Sequence, residues 1–275
     1  MNNSLETDLR ARVRAEEDQH SRNDRGSDSL WDHLERVAKL AEYIGHAENV
    51  DPQACRLAGL FHDAGKFAGG RYHDDDNPEE ERSVEVLAAL SKKHGIDATL
   101  VDQVAEAIRQ IYRDDPDPAP LAQVLFDADN LDKLGPLGVA NYFVKAGLRG
   151  GGISSNLLYR LTVELTYARH APRCLMTKTG REMAGRRAPK TTRFLKDFLD
   201  DLRRDDLYDF HVIELIFDGL VLDVVAPVAC ACGVEIKRRI WEIPGIKCSE
   251  IHLEHACASC EMRHEIRFCR PRLTI

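Results

Sequence analysis

The stretch Leu57-Ala-Gly-Leu-Phe-His-Asp-Ala-Gly-Lys66 decides the fold, because it sets His62 and Asp63 side by side on an otherwise apolar segment. An imidazole and a carboxylate are each costly to bury unless they find a partner. Packing alone gives no reason for such a pair. A metal ion is its natural partner, so the pair predicts a metal site.

Two further candidate ligands stand far from this pair along the chain. His33 lies in Trp31-Asp-His-Leu-Glu-Arg-Val-Ala38, and Asp129 lies in Phe126-Asp-Ala-Asp-Asn-Leu-Asp-Lys-Leu-Gly135. Two neutral imidazoles and two carboxylates suit Mn, Fe, Co, Ni or Zn, and they suit Ca poorly. On a metal of higher coordination number, these four ligands leave room for water and a substrate oxygen. Metal-assisted hydrolysis needs such an open position.

The same residues resemble a known family. Their order is similar to that of the HD-domain superfamily of metal-dependent phosphohydrolases. The surrounding motifs are similar too: His-Leu-Glu-Arg-Val, His-Asp-Ala-Gly-Lys and Asp-Ala-Asp-Asn-Leu-Asp-Lys-Leu-Gly. The resemblance implies a mainly α protein with an all-helical bundle. It also implies that the metal is bound by His33, His62, Asp63 and Asp129, with Asp63 or a nearby acid handling protons.

The last ligand of the set has competitors. Asp127, Asp129 and Asp132 lie within six residues of one another. Asp129 matches the Ala-Asp-x-Leu motif of the family, so it is the preferred metal ligand, and Asp127 is the second choice.

A second metal would need further histidines between the His-Asp pair and the last aspartate. That stretch offers only His73 and His94, while Gln110 and Tyr112 stand where the later histidine is expected. A mononuclear site is therefore favoured.

Three cations near the ligands are candidate substrate-binding residues. Lys66 follows His62 by four residues and Asp63 by three, which places its ammonium near the metal-facing side of a helix. It could pair with a substrate phosphate in a catalytic role, or it could cap the helix C-terminus. Arg36 and Lys133 are candidates for the same phosphate contact, although the more ordinary interpretation of each is a solvated surface charge.

Periodicity and capping signals predict several helices. In residues 30–47, apolar residues recur at three- and four-residue spacing beside His33. Asn77-Pro-Glu-Glu begins a second helix and Gly95 ends it. Further helices are predicted over residues 98–112, 120–133 and 156–170, with a flexible connection at 148–153. The resemblance continues through residues 176–187 and 194–199, and so covers about residues 28 to 205.

Composition is that of an ordinary globular protein. The chain has 275 residues, of which 31% are charged and 43% hydrophobic. No apolar run reaches the length of a membrane span, and the first residues lack the apolar stretch of a signal peptide. We therefore expect a cytoplasmic enzyme without membrane contact.

Charge is distributed unevenly, because residues 173–196 carry a net charge of +7 in a chain whose net charge is -8. This basic stretch could receive polyphosphate or nucleic acid. It could also be a solvated helix face. Its eight basic residues are Arg173, Lys178, Arg181, Arg186, Arg187, Lys190, Arg193 and Lys196.

Cysteines crowd the last fifth of the chain, which in the absence of a secretion signal favours metal over disulfides. The pairs Cys230/Cys232 and Cys257/Cys260, 24 residues apart, look like the two knuckles of a zinc ribbon. Four thiolates would close a tetrahedral structural zinc site. Residues 234–243 alternate in part, as a strand would. Substitute ligands are Cys248, Cys269, His252, His255 and His264, and metal-free cysteines remain the alternative.

The sequence thus predicts four segments and one leading function. The segments are an N-terminal extension (1–27), an HD-type helical domain (28–205), a connection of undecided structure (206–229) and a zinc-ribbon-like β module (230–275). The leading function is hydrolysis of a phosphate ester of a nucleotide or related compound by a metal-activated water. A regulatory protein or nuclease that binds nucleic acid or a protein partner through the ribbon and residues 173–196 is the alternative. The oligomeric state stays open.

Overall fold

The computed structural model describes residues 3–21, 29–70, 77–113, 117–148, 150–236, 241–242 and 250–271. Within these ranges the protein is mainly helical and ends in a small strand module with four close cysteines, which confirms the predicted fold class. The helices are α1 (Asn3–Ser21), α2 (Ser29–Ala47), α3 (Pro52–Phe61), α4 (Glu79–His94), α5 (Ala98–Tyr112), α6 (Pro120–Asp132), α7 (Gly135–Leu148), α8 (Ser155–Cys174) and α9 (Lys178–Arg204).

Some predicted features lie outside the described residues. These are His73, Cys248 and the parts of the predicted strand at 237–240 and 243. The side chains of Tyr112 and Cys269 lie outside the description as well.

The chain divides into two compact units. One unit contains Met1–Lys133 and Leu175–Ala184, and the other contains Leu134–Cys174 and Gly185–Ile275. The predicted segment boundaries at residues 27, 205 and 229 stay predictions. No helix among the described ranges is both long and apolar enough to span a bilayer.

In the first unit, α2 and α3 pack unusually closely. A Cβ atom on Gly59 would lie 2.5 Å from the Cα of Ala38, so only glycine allows this approach. Asp51 begins α3 by accepting a hydrogen bond from the Gln53 amide, with Pro52 in the first turn. The helix ends at Phe61, which leaves His62 at its C-terminus facing α2.

Gly65 has a similar purpose just after the His-Asp pair. Its amide donates to Ser83 Oγ at 3.0 Å, and an added Cβ would lie 2.4 Å from the Ser83 nitrogen. The glycine in His-Asp-Ala-Gly-Lys therefore lets the turn after α3 lie directly against α4.

The helices predicted from periodicity are present. Residues 30–47 form α2, the predicted 98–112 helix is α5, and Gly95 ends α4 in the left-handed conformation. Helix α8 continues past the predicted end at residue 170. Two helices were not predicted: α7, and α1 in the N-terminal extension, whose buried Leu5, Leu9 and Val13 recur every four residues.

The second unit contains two antiparallel hairpins. Strands β1 (Phe210–Phe217) and β2 (Leu220–Pro227) occupy the segment whose structure the sequence left undecided. Strands β3 (Glu250–Ala256) and β4 (Arg263–Cys269) flank the second cysteine knuckle. From the predicted 234–243 strand, Glu235 bridges Ala229 and Glu242 bridges Glu254. Among the described residues, β3 lies between the two knuckles, and β1, β2 and β4 lie outside that interval.

Side chains of α8 follow the edge of β2. The amides of Val225 and Asp223 donate to the hydroxyls of Thr162 and Thr166 at 2.9 and 3.0 Å, and His170 Nε2 lies 2.8 Å from the Val221 carbonyl oxygen. Four residues of a helix rise about 6 Å. Two residues of a strand advance about 6.8 Å. The two spacings nearly match, so side chains on one face of α8 can form hydrogen bonds with the backbone of every second residue along the edge of β2.

We predict that Thr166→Val lowers the free energy of unfolding by about 1 to 3 kcal/mol, because the near-isosteric change leaves the buried Asp223 amide without its acceptor. Urea denaturation of the full chain measures this effect. The matched control is Thr99→Val, since Thr99 is exposed in α5. Equal stabilities for the two variants would contradict the assignment.

Candidate metal centre

Three helices bring His33, His62 and Asp129 together. One ligand atom from each side chain lies within 4.8 Å of the other two. Asp129 Oδ1 lies 3.5 Å from His33 Nε2 and 3.8 Å from His62 Nε2. His33 comes from α2, His62 from the end of α3 and Asp129 from α6, so the site depends on the packing of these three helices.

Asp63 shares the same space. Its two carboxylate oxygens lie 3.8 Å from His33 Nε2 and 3.8 Å from His62 Nε2. All four side chains that the family resemblance implies as ligands therefore face one centre. Both histidines and Asp63 are buried.

The imidazoles present the atoms that a metal requires. His62 Nδ1 lies 2.9 Å from the Gly59 carbonyl oxygen, which can only accept, so Nδ1 carries the proton and Nε2 carries a lone pair. That Nε2 atom is buried and has no hydrogen-bond partner among the described residues. Nitrogen lone pairs and carboxylate oxygens at 3.5 to 3.8 Å fit coordination of a divalent transition metal between them.

Asp132 orients the other histidine. Its Oδ2 lies 2.8 Å from His33 Nδ1, and the Arg36 guanidinium donates to both carboxylate oxygens at 2.7 and 3.0 Å. Although burial opposes ionisation, hydrogen bonds from His33 and Arg36 lower the pKa of Asp132 to about 2. An ionised carboxylate behind a histidine fixes its tautomer and makes it a more basic ligand.

The carboxylates at the centre are held in their ionised form. Burial would raise the pKa of Asp63, but the charge of the nearby Lys66 ammonium lowers it. Burial likewise opposes ionisation of Asp129, and the charge of Lys133 holds the pKa of Asp129 well below the usual value. Metal ligation requires these charged forms.

Both lysines predicted to bind substrate lie beside ligands. The Lys66 ammonium contacts the Asp63 carboxylate and lies 3.3 Å from Glu79 Oε1. Lys133 Nζ lies 2.8 Å from Asp129 Oδ2. Arg36 instead faces Asp132, so its predicted contact with substrate stays a prediction.

Glu79, in the first turn of α4, also lies beside the centre, although no sequence pattern marks it. Burial and the neighbouring Asp63 charge raise the pKa of Glu79. In the sequence it is one of three consecutive glutamates, Glu79 to Glu81, at a helix start. Nothing local distinguishes it from the other two, so its place beside the centre could only come from packing.

Asp127, the second choice for the last ligand, has a different role. It accepts hydrogen bonds from the amides of Met176 and Thr177 and from the Thr177 hydroxyl, at 2.7 to 2.8 Å. A Cβ on Gly180 would lie 2.1 Å from its Oδ2. Burial raises the pKa of Asp127 to about 6. This carboxylate anchors the start of α9, and Asp129 takes the place beside the histidines.

The second unit contains a separate group of four cysteines. Cys230 Sγ lies 3.5 Å from Cys260 Sγ, and Cys232 Sγ lies 3.5 Å from Cys257 Sγ. Four sulfurs around one ion with bonds of about 2.3 Å would lie about 3.8 Å apart. Amides of Ser259 and Cys260 stabilise the Cys257 thiolate and lower its pKa to about 6. The group can hold one metal ion, and the substitute histidines are not part of it.

We predict that Asp132→Asn weakens binding of a divalent metal at this centre about 10- to 100-fold, because the amide no longer enforces the His33 tautomer. Titration calorimetry with Mn²⁺ on the full chain measures the affinity, and a thermal melt verifies folding. Asp32→Asn is the matched control, since Asp32 is exposed on α2, the helix that carries His33. Unchanged affinity in a folded Asp132→Asn protein would refute the role given to Asp132.

Comparison with known proteins agrees with this geometry. The HD domain family model matches residues 30–134. YpgQ of Bacillus subtilis (strain 168), an uncharacterized protein, is 30% identical over 195 residues, which cover 66% of this chain and 86% of YpgQ. A crystal structure of YpgQ covers 72% of this chain and 94% of its own, with 25% identity and a TM-score of 0.53.

Two further structures extend the comparison. YpgQ in complex with ADP aligns at 26% identity and a TM-score of 0.51, covering 74% of this chain and 95% of its own. An HD-superfamily hydrolase from Bacillus thuringiensis, 16% identical with a TM-score of 0.50, covers 72% of this chain and 98% of its own and shares the fold. Together with the convergence of His33, His62, Asp63 and Asp129, these similarities establish that the chain belongs to the HD-domain superfamily of metal-dependent hydrolases.

Proposed function

We propose that this protein hydrolyses a phosphate ester of a nucleotide or a closely related compound. The observation that carries the proposal is the convergence of two imidazole lone pairs and two ionised carboxylates on one centre, with a lysine beside each carboxylate. When bound there, a divalent transition metal (Mn, Fe, Co, Ni or Zn) would supply an activated water and polarise a phosphate. The ligands would be His33, His62, Asp63 and Asp129.

The charge balance of the site supports an anionic substrate. Asp63 and Asp129 are matched by Lys66 and Lys133, and Asp132 is matched by Arg36. Even with Glu79 ionised as a fourth carboxylate, a divalent cation would leave an excess of positive charge that a phosphate group would neutralise.

Lys66 and Lys133 are the residues that we propose contact the phosphate. Both ammonium groups lie at the carboxylate ligands, so a phosphate oxygen that reaches the centre would also come near them. The nearby carboxylates of Asp63 and Asp129 raise the pKa values of Lys66 and Lys133, so both side chains stay charged. Lys133 leaves about half of its side chain exposed, where a substrate could reach it. Asp63 would orient the attacking water, with Glu79 as the nearby acid.

A nucleotide is supported as the substrate class by a relative. YpgQ, 30% identical to this chain, has been crystallised in complex with ADP. The complex shows that YpgQ binds ADP, and the similarity of the two proteins makes nucleoside phosphates the first compounds to assay with this chain. Phosphomonoesters and phosphodiesters of nucleosides both belong in the panel, because the site geometry fits either.

We predict that His62→Ala/Asp63→Ala lowers turnover about 1,000-fold for the nucleotide that the wild-type protein hydrolyses. This is equivalent to about 4 kcal/mol of lost transition-state stabilisation. Phosphate release from a nucleotide and phosphodiester panel with Mn²⁺ or Co²⁺ measures it. The control is His46→Ala/Asp32→Ala, which changes the same residue types at exposed positions of α2. Equal rates in the two double variants, or no turnover by a wild-type protein shown to bind the metal, would overturn the proposed function.

We also propose that the four-cysteine group holds a structural zinc ion. Four thiolates leave no open coordination position, so a metal there would brace the tail and would not act on substrate. Four thiols stay available for a metal in a reducing compartment, so a structural zinc ion here goes with the cytoplasmic location that we propose.

We predict that Cys260→Ser lowers the zinc content of the full chain by one equivalent while Mn²⁺-dependent hydrolysis persists. Elemental analysis after dialysis measures the zinc. Cys248→Ser is the control, and it should retain the zinc. Loss of zinc from the Cys248 variant, with retention in the Cys260 variant, would reassign the ligand set.

A further inference from the structure

We propose that Arg186, Lys190, Arg193 and Phe194 of α9 form a binding surface for single-stranded nucleic acid. This inference is independent of the proposed hydrolase function, because it uses no residue of the metal centre. The residues all belong to the second unit. Phosphates would meet the three cations, and a base would stack on the phenylalanine ring.

The arginines of the tail do not offer such a surface. Arg263 lies 2.7 Å from Glu254, Arg267 lies 2.8 Å from Glu265, and Arg270 lies 2.5 Å from Asp218. Each of these cations already has an acidic partner, which a phosphate would have to displace. These three tail arginines are therefore largely neutralised within the fold.

Several basic residues of the 173–196 stretch are engaged too. Lys196 lies 3.8 Å from the buried Asp223, Lys178 lies 4.0 Å from Glu182, and Arg181 donates to the Met176 carbonyl oxygen at 2.8 Å. In contrast, Arg186, Lys190 and Arg193 have no acidic group within 4.0 Å in the part of the chain that the structure describes.

These three cations share one face of the helix. They are spaced by four and three residues, which along an α-helix is a rise of about 6 and 4.5 Å. All three are exposed, whereas Ala184, Ala188, Thr191 and Leu195, at the same spacing, are buried. The buried positions hold the helix in the fold, and the cations form a short row in water.

Phe194 adds an exposed aromatic ring to the three cations. It follows Arg193 directly and leaves 47% of its surface exposed. An exposed aromatic ring beside phosphate-binding cations is the combination that proteins use for single strands, since an unpaired base can stack on the ring. A duplex offers no such base, and an acidic peptide would use the cations without the ring.

The charge of the remaining chain concentrates binding on this row. The formal net charge of the protein is -8, so the protein as a whole repels a polyanion and binding depends on local positive charge. A strand that binds should therefore contact few phosphates. Three contacts would give a slope of about -2 in the plot of log affinity against log salt for a single strand.

The test is fluorescence anisotropy of a labelled 15-nucleotide oligo-dT with the full chain at 50 and 200 mM salt. The His62→Ala/Asp63→Ala background prevents strand cleavage. We expect Arg186→Gln/Lys190→Gln/Arg193→Gln to weaken binding at least tenfold and to flatten the salt dependence. Phe194→Leu should weaken binding of oligo-dT severalfold without changing binding of an abasic strand of the same length.

The control variant is Arg203→Gln/Arg204→Gln/Arg267→Gln, which removes three cations that have acidic partners. It should bind oligo-dT like the parent protein. Equal weakening by both triple variants, equal binding of duplex and single strand, or preference for a polyglutamate peptide would each overturn the proposal. In the native background the α9 triple variant should hydrolyse small nucleotides normally, so failure of this proposal and failure of the hydrolase function are distinguishable.

Discussion

The close approach of α2 and α3 is the constraint on which the metal centre depends. With Gly59 against Ala38, the two helices lie near enough for the rings of His33 and His62 to have centroids 5.2 Å apart. A side chain at residue 59 would push the helices apart and separate the imidazoles. Backbone packing therefore sets the ligand spacing, and side-chain hydrogen bonds then set the direction of each ring.

The centre also shows how a buried cluster of carboxylates stays ionised. Asp63, Asp129 and Asp132 would repel one another and resist burial, but each has its own cation in Lys66, Lys133 or Arg36. Each of these cations follows a metal ligand by three or four residues, so the two side chains lie on the same side of a helix or turn. Lys66 follows Asp63, Lys133 follows Asp129, and Arg36 follows His33. The local sequence thus carries much of the compensation that the site requires.

The features that the sequence predicts are those that a local pattern of residues marks, whereas contacts between distant residues depend on packing. The His-Asp pair, the helices around it and the cysteine pairs were predicted because a motif, a period or a spacing marks them. The partnership of Asp132 with His33 joins residues 99 apart, and only the packing of α2 against α6 selects it from three neighbouring aspartates. The sequence does not decide between helix and strand for the β1–β2 hairpin, since its second strand is buried almost throughout and lacks alternation.

The row of side chains from α8 along β2 limits how this part of the chain can change in evolution. Inserting or deleting one residue between Thr162 and His170 would rotate the following side chain by about 100° and break the correspondence with Val225, Asp223 and Val221. Substitutions can be absorbed singly at these positions, but changes of length cannot. Relatives that retain the hairpin should therefore differ in length in their connecting loops and keep the eight-residue interval intact.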